Sequence, residues 1–196
     1  MTIKEQAELG LPLEGIEIID AHAHLGLLSK FYLNEPTAEV MIKEMKRLGI
    51  KRTTISPHIG LTYSAFAGNQ QMRETIEQYP SWFLGYITIN PHHPDKITQE
   101  LDTYWGKKGI VGVKIHPTGH NCHIQDTKYH PLWEYANQKG MLILSHTWYG
   151  TICTPRLFAP LAEKYKNIIF LLGHMGGFYQ GIREAVEVAR KYDNIY

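Results

Sequence analysis

Two histidines stand two residues apart in Ile18-Ile19-Asp20-Ala21-His22-Ala23-His24, on or just past a run of β-favouring residues. Alternation along a strand puts His22 and His24 on one face. Neutral imidazoles converging from one strand end form half of a tetrahedral site for Zn²⁺ or a similar borderline metal. By itself the pair reads as readily as one packed and one solvated histidine. Recurrence shifts the balance. The chain has 11 histidines, and His116, His146 and His174 also fall at the ends of short apolar runs. Five imidazoles brought to one end of a set of strands point to a metal centre.

The elements that must position them follow from hydrophobic pattern. Apolar β-rich runs at Ile16–Ala21, Thr53–Ser56, Phe83–Asn90, Ile110–Ile115, Met141–Ser145 and Ile168–Gly173 are bounded by Gly, Pro or polar residues. Their continuous hydrophobicity predicts strands buried on both faces. Between them, apolar residues recur at helical spacing in Met41/Met45/Leu48, Met72/Ile76/Tyr79, Ile97/Leu101/Tyr104 and Ile182/Val186/Ala189. Gly49 and Gly140 sit where helices should stop, and Thr154-Pro155 reads as an N-cap with Pro at the first helical position. Strand ends recur roughly every 30 residues, the length of a βαβ unit. The expectation is an α/β chain of six strand–helix units, with a seventh strand beginning at Asn194-Ile195-Tyr196. That is a TIM (β/α)8-type barrel truncated after about six βα units, since eight need about 250 residues. An open doubly wound sheet would carry a Gly-rich phosphate turn after its first strand, and none is present.

Composition excludes several partners. Lys+Arg (20) nearly balance Asp+Glu (19), for a formal charge of +1. With no basic patch, nucleic acid and anionic membranes are not expected as partners, and a small-molecule substrate is. The N-terminus lacks the apolar stretch of a signal peptide and no later run suits a membrane span, so a cytoplasmic location is expected, with homo-oligomerisation left open. Cys122 and Cys153 are expected to be free thiols.

The runs IIDAHAHLG (Ile18 to Gly26), GVKIHP (Gly112 to Pro117), ILSHT (Ile143 to Thr147) and LLGHMGG (Leu171 to Gly177) resemble the amidohydrolase-related family, whose relatives include decarboxylases of the aminocarboxymuconate-semialdehyde type. Order and spacing match along nearly the whole chain, 1–196, read as one barrel domain lacking the last strands. The resemblance implies a divalent metal, zinc first, held by His22, His24 and His146, with His174 a catalytic imidazole beside it. It also implies an aspartate at strand eight. Asp20, Asp95, Asp102, Asp126 and Asp193 all lie upstream of any such strand.

Other residues carry open alternatives. Lys114 and His116 share one face of the fourth strand. Lys114 is expected to pair with an interior acid such as Asp20, because a buried ammonium needs a partner. By resemblance to binuclear amidohydrolases, a carboxylated lysine bridging two metals is the other reading. His116 is then a substrate or water contact. Trp148 and Tyr149 follow the His146 strand and are candidate substrate-pocket walls, with ordinary packing the alternative. Gly119-His120-Asn121-Cys122-His123 could line the pocket or, less plausibly, hold a second metal. Gly176-Gly177 would permit a tight turn and leave free amides for an anion. Arg73, Arg156 and Arg183 could clamp a carboxylate, but each lies in or near a helical pattern and reads as a surface residue.

These features suggest metal-dependent hydrolysis of a small amide, lactone or ester by activated water. Decarboxylation of an unsaturated acid on the same residues is the alternative, and a non-catalytic relative the third reading. Phosphoester hydrolysis of the polymerase-and-histidinol-phosphatase type is disfavoured, because its Ser-Asp-Gly element does not follow His24.

Overall fold

The structure is a computed structural model that describes residues 1–13, 15–28 and 31–196. A short capped helix α1 (Ile3–Glu8) precedes β1 (Ile18–Ala23). Then come α2 (Ala38–Leu48), β2 (Ile50–Ile55), α3 (His58–Thr62), α4 (Ala65–Gln78), β3 (Phe83–Thr88), α5 (Pro94–Tyr104) and β4 (Ile110–Ile115). The chain continues through α6 (Pro117–His120), α7 (His130–Lys139), β5 (Leu142–His146), α8 (Ala159–Lys164), β6 (Ile169–Gly173) and α9 (Tyr179–Lys191). The strands form one parallel sheet in sequential order β1 to β6. Sequential order is that of a (β/α) barrel, in which each right-handed crossover lays a helix on the outside. Six strands make a half-barrel. Its curvature brings the ends of β1 and β6 together, for a Cβ placed on Gly173 would lie 3.0 Å from Cε1 of His22.

The expected seventh strand starts where its pattern does. Phe170 N donates to Asn194 O, Tyr196 N to Phe170 O and Leu172 N to Tyr196 O, each at 2.8 Å, and Ile195 forms a parallel bridge to Phe170.

The helices close over the outer face of the sheet. Phe83, Ile87, Val113, Ile115, Ile143 and Phe170 share one core with Met72, Ile76, Ile97, Leu101 and Trp133 of the helices. Apolar surface removed from water on this scale dominates folding, at roughly 25 cal/mol per Å².

Several boundaries depart from the pattern. β1 runs two residues further than expected and contains His22, and β5 reaches His146. β2 begins at Ile50, because Gly49 ends α2 in the left-handed region (φ 71°) and the chain turns at once into the sheet. The exposed Lys51 and Arg52 hid that start; Lys51 is paired with Glu17 beside β1. On α9 the buried face is Gly181, Ala185 and Val188, one position from the expected Ile182/Val186/Ala189, and Ile182 is exposed. Thr154 is the N-cap residue ahead of Pro155, as expected, but its side chain makes no capping bond. Its hydroxyl donates to Glu184 Oε2 at 2.7 Å, and Pro155 opens a 3-10 turn ahead of α8.

Candidate active site

The histidines expected at strand ends do converge. His22 lies 5.0 Å from His24 and 4.9 Å from His174 between ring centroids. His146 lies 4.9 Å from His174 and stacks on His116 at 4.0 Å and 9°. Trp148 extends that stack, 6.1 Å from His146 and 5° from parallel, and meets His174 edge-on at 6.2 Å. Tyr149 stands apart from the rings. Its side chain is exposed and its backbone N–H donates to Gly176 O at 2.8 Å.

The register of β1 against β2 slips between Asp20 and Ala23, around His22. Such an irregularity re-aims a side chain. In its place His22 N donates to Asp20 Oδ1 at 2.9 Å. Asp20 is thereby occupied with backbone, and it does not pair with Lys114 as expected. The Lys114 Nζ lies 2.8 Å from His22 Nε2, wholly buried, and among the described residues no acid forms an ion pair with it. The amine found an imidazole because β1 and β4 face each other across the half-barrel, a proximity that spacing does not reveal.

Hydrogen bonds assign the tautomers. His24 Nδ1 donates to Ser56 O at 2.9 Å, which leaves the Nε2 lone pair free. His116 is the reverse. Its Nδ1 accepts from Gly119 N at 2.9 Å, so in the neutral ring Nε2 carries the proton. His58, three residues past β2, joins the group unannounced. It stacks on His24 at 4.7 Å and its Nδ1 donates to Gly26 O at 2.8 Å. Its closeness to a strand end was the available signal. A cleft of about 620 Å³ opens beside it, between Gly26, Leu27 and Leu28 on one side and Ile59, Thr62 and Gln71 on the other.

Burial holds these rings neutral. It lowers His22 to about 2, with Lys114 adding to the effect, and likewise His24 to about 3. Burial and then His116 bring His146 to about 3; burial and then Lys114 bring His116 to about 4. His174 is lowered by burial and by Lys114, and burial drives Lys114 itself to about 7. Desolvation disfavours every charged form, and the cations repel one another.

His174 sits in a strained turn. His174 and Met175 have φ of 63° and 48°, followed by Gly176 and Gly177 at 78° and 80°. Left-handed non-glycine residues cost about 1–3 kcal/mol each and persist only where surroundings impose them. The buried Thr147 hydroxyl supplies that constraint. It donates to Gly173 O at 2.6 Å and accepts from Gly176 N at 2.9 Å. Gly177 N donates to His174 O at 2.8 Å. The two amides expected to be free for an anion are therefore both engaged. A Cβ on Gly177 would lie 2.7 Å from the Trp148 ring, so the turn and the aromatic wall are fitted to each other.

The remaining candidates disperse. His120 stays outside the ring group, its Nδ1 buried without a partner, and His92 Nε2 donates to its carbonyl at 2.6 Å. Arg73 pairs with Glu77 and Arg156 with Glu184, while Arg183 donates to Tyr179 on the same helix. Cys122 and Cys153 are buried free thiols.

Neutral imidazoles with forward lone pairs, each ring held by a bond from its other nitrogen, are the donor chemistry of a divalent metal site. His24 meets that description fully, and His22 has its Nε2 directed inward. The donor type fits a metal. In this arrangement His22 Nε2 is engaged by Lys114, and among the described residues no three His, Cys, Asp or Glu side chains are gathered as a metal-holding group.

A family model described as amidohydrolase matches residues 19–196. The chain belongs to the amidohydrolase family. No curated protein matches it in sequence. Solved structures share the fold at low identity. An uncharacterised TIM-barrel protein from Bordetella bronchiseptica is 16% identical with a TM-score of 0.74, over 92% of this chain and 74% of that one. A 4-oxalomesaconate hydratase from Rhodopseudomonas palustris gives 16% and 0.61, over 91% and 73%. A dihydroxybenzoic acid decarboxylase from Polaromonas, solved with manganese and the inhibitor 2-nitroresorcinol, gives 16% and 0.64, over 82% and 66%. Among the described residues no helix is long and apolar enough to cross a membrane.

Proposed function

We propose that this amidohydrolase-family chain carries the site of a metal-dependent enzyme that hydrolyses a small carbonyl compound, an amide, lactone or ester. His22, His24 and His146 would hold the ion, zinc or another divalent metal. When bound, it would supply Lewis acidity to a water or a carbonyl oxygen. The observation that carries the reading is the opposed tautomers of two rings in one cluster. His24 keeps a free lone pair at Nε2, whereas neutral His116 keeps an N–H there. One ring suits a cation and the other a carbonyl oxygen. His174, fixed in its strained turn with its ring near His22 and His146, is placed to move a proton to or from the reacting group. Trp148 forms an apolar wall behind it.

A second reading, decarboxylation of a carboxylic acid, draws support from Lys114. A buried amine without a carboxylate partner among the described residues is a ready seat for a substrate carboxylate. The manganese-bound decarboxylase of similar fold agrees with that reading.

Products separate the two. The metal-loaded protein is screened against lactones and amides alongside unsaturated and aromatic carboxylates. Hydrolysis incorporates solvent oxygen and releases no carbon dioxide; decarboxylation releases carbon dioxide and places a solvent proton on carbon. His174→Asn should lower turnover about 10²–10⁴-fold with metal content unchanged. Protein that retains no divalent ion and turns over neither class supports the third reading, a non-catalytic relative.

A further inference from the structure

Lys114, the seat for a carboxylate in the second reading, also makes a hydrogen bond to His22 that neither reaction uses. Lys114 is fully buried on β4, between Val113 and Ile115 of the helix-facing core. Its hydrogen-bond partner is an imidazole nitrogen, 92 residues away in sequence and 2.8 Å away in space. Nζ is the donor, because an ammonium carries only N–H donors and no lone pair, so Nε2 of His22 supplies the acceptor. The His22 proton is then on Nδ1, on the side of the ring that lies over Gly173. A single lone pair accepts one cation. An ammonium on His22 Nε2 and a metal ion bonded to the same nitrogen exclude each other.

We propose that Lys114 is an internal competitor for the metal: its amine occupies His22 Nε2 and must leave that nitrogen before His22 can act as a ligand. This inference rests on the metal reading above, and adds a residue that opposes occupancy instead of supporting it. It differs in sign from the carboxylated-lysine alternative, in which the same side chain would be a ligand and its removal would weaken binding. The displaced amine stays in a pocket where no described acid forms an ion pair with it, so the exchange is reversible and metal affinity is held below what three imidazoles alone would give.

The test is zinc affinity by chelator competition and bound zinc by elemental analysis, on the parent, Lys114→Met and Lys114→Gln. Methionine keeps the volume without the charge, and glutamine keeps a polar end should methionine disturb folding. Both variants should bind zinc at least tenfold more tightly than the parent, with His22→Ala abolishing the gain. In the zinc-loaded parent, the Nζ to His22 Nε2 separation should exceed hydrogen-bond reach. Equal affinity in all three proteins overturns the proposal while leaving the metal reading intact. Weaker binding in the variants than in the parent overturns it in favour of a lysine ligand. Zinc retained by none of the three overturns both the metal reading and the competition.

Discussion

The outer and inner sides of the same sheet are built on opposite terms. Toward the helices, Phe170 is fully buried with Trp133 and Phe158 packed around it. Toward the barrel axis, the strand ends carry Lys114, His22, His24, His116 and His146, all held in uncharged or weakly charged forms by burial. The first arrangement is what stability alone selects. The second gives up stability to gather part-buried imidazoles and a buried amine at one end of the sheet, the usual condition of a site shaped for chemistry.

Substitutions on the two sides should therefore differ in sign. Phe170→Ala on the helix side should destabilise by about 3–5 kcal/mol, measured from urea unfolding, because the packed surroundings cannot collapse into the void. A loss under about 1 kcal/mol would mean that the outer layer is not close-packed. On the axis side, Lys114→Met should stabilise by about 1–3 kcal/mol at neutral pH, since it removes a desolvated amine without opening a cavity. Destabilisation there would mean that the hydrogen bond to His22 Nε2 outweighs the desolvation of the amine, and would erase the contrast.

Thr147 sharpens the comparison, because it is polar and buried directly after His146, yet structural. Thr147→Val should cost about 1–3 kcal/mol by stranding Gly176 N and removing the hydroxyl's bond to Gly173 O, and Thr147→Ser should recover most of it. NMR signals of His174 should shift in the valine variant and return in the serine variant.

The smallest expected effect is a pH dependence at the periphery. Burial and then His92 lower His120 to about 4 from its ordinary 6.5. Above pH 6.5 the ring is neutral in folded and unfolded chains alike. Between 6.5 and 4 the unfolded chain takes up a proton that the folded one refuses, so stability falls with acidification, and below 4 it levels off. His120→Gln should flatten the fall in urea midpoint from pH 7 to pH 4 by about 1–2 kcal/mol. An identical pH profile in the variant would place His120 in contact with water.

Much of the architecture was legible in the chain. Continuous apolar runs announced all six strands, and the spacing of His22, His116, His146 and His174 from those runs put them at one end of the sheet. Gly49 and Gly140 end their helices in the left-handed conformation as their positions required. Boundaries were less legible where charge masked a strand, as at Lys51 and Arg52. The burial phase of α9 was missed because Gly181 and Ala185 are buried and weakly hydrophobic, whereas Ile182 is apolar and exposed.

What the sequence by itself determined is local: period, punctuation and the identity of side chains at strand ends, because each depends on neighbours within a turn or a pleat. The partner of Lys114, the opposed tautomers of His24 and His116, the arrival of His58 and the clamp of Thr147 were decided by tertiary structure alone. Each is a contact between atoms of different strands or loops. Curvature of the sheet sets those distances, and a hydrogen bond that turns on a few tenths of an ångström has no counterpart in residue order.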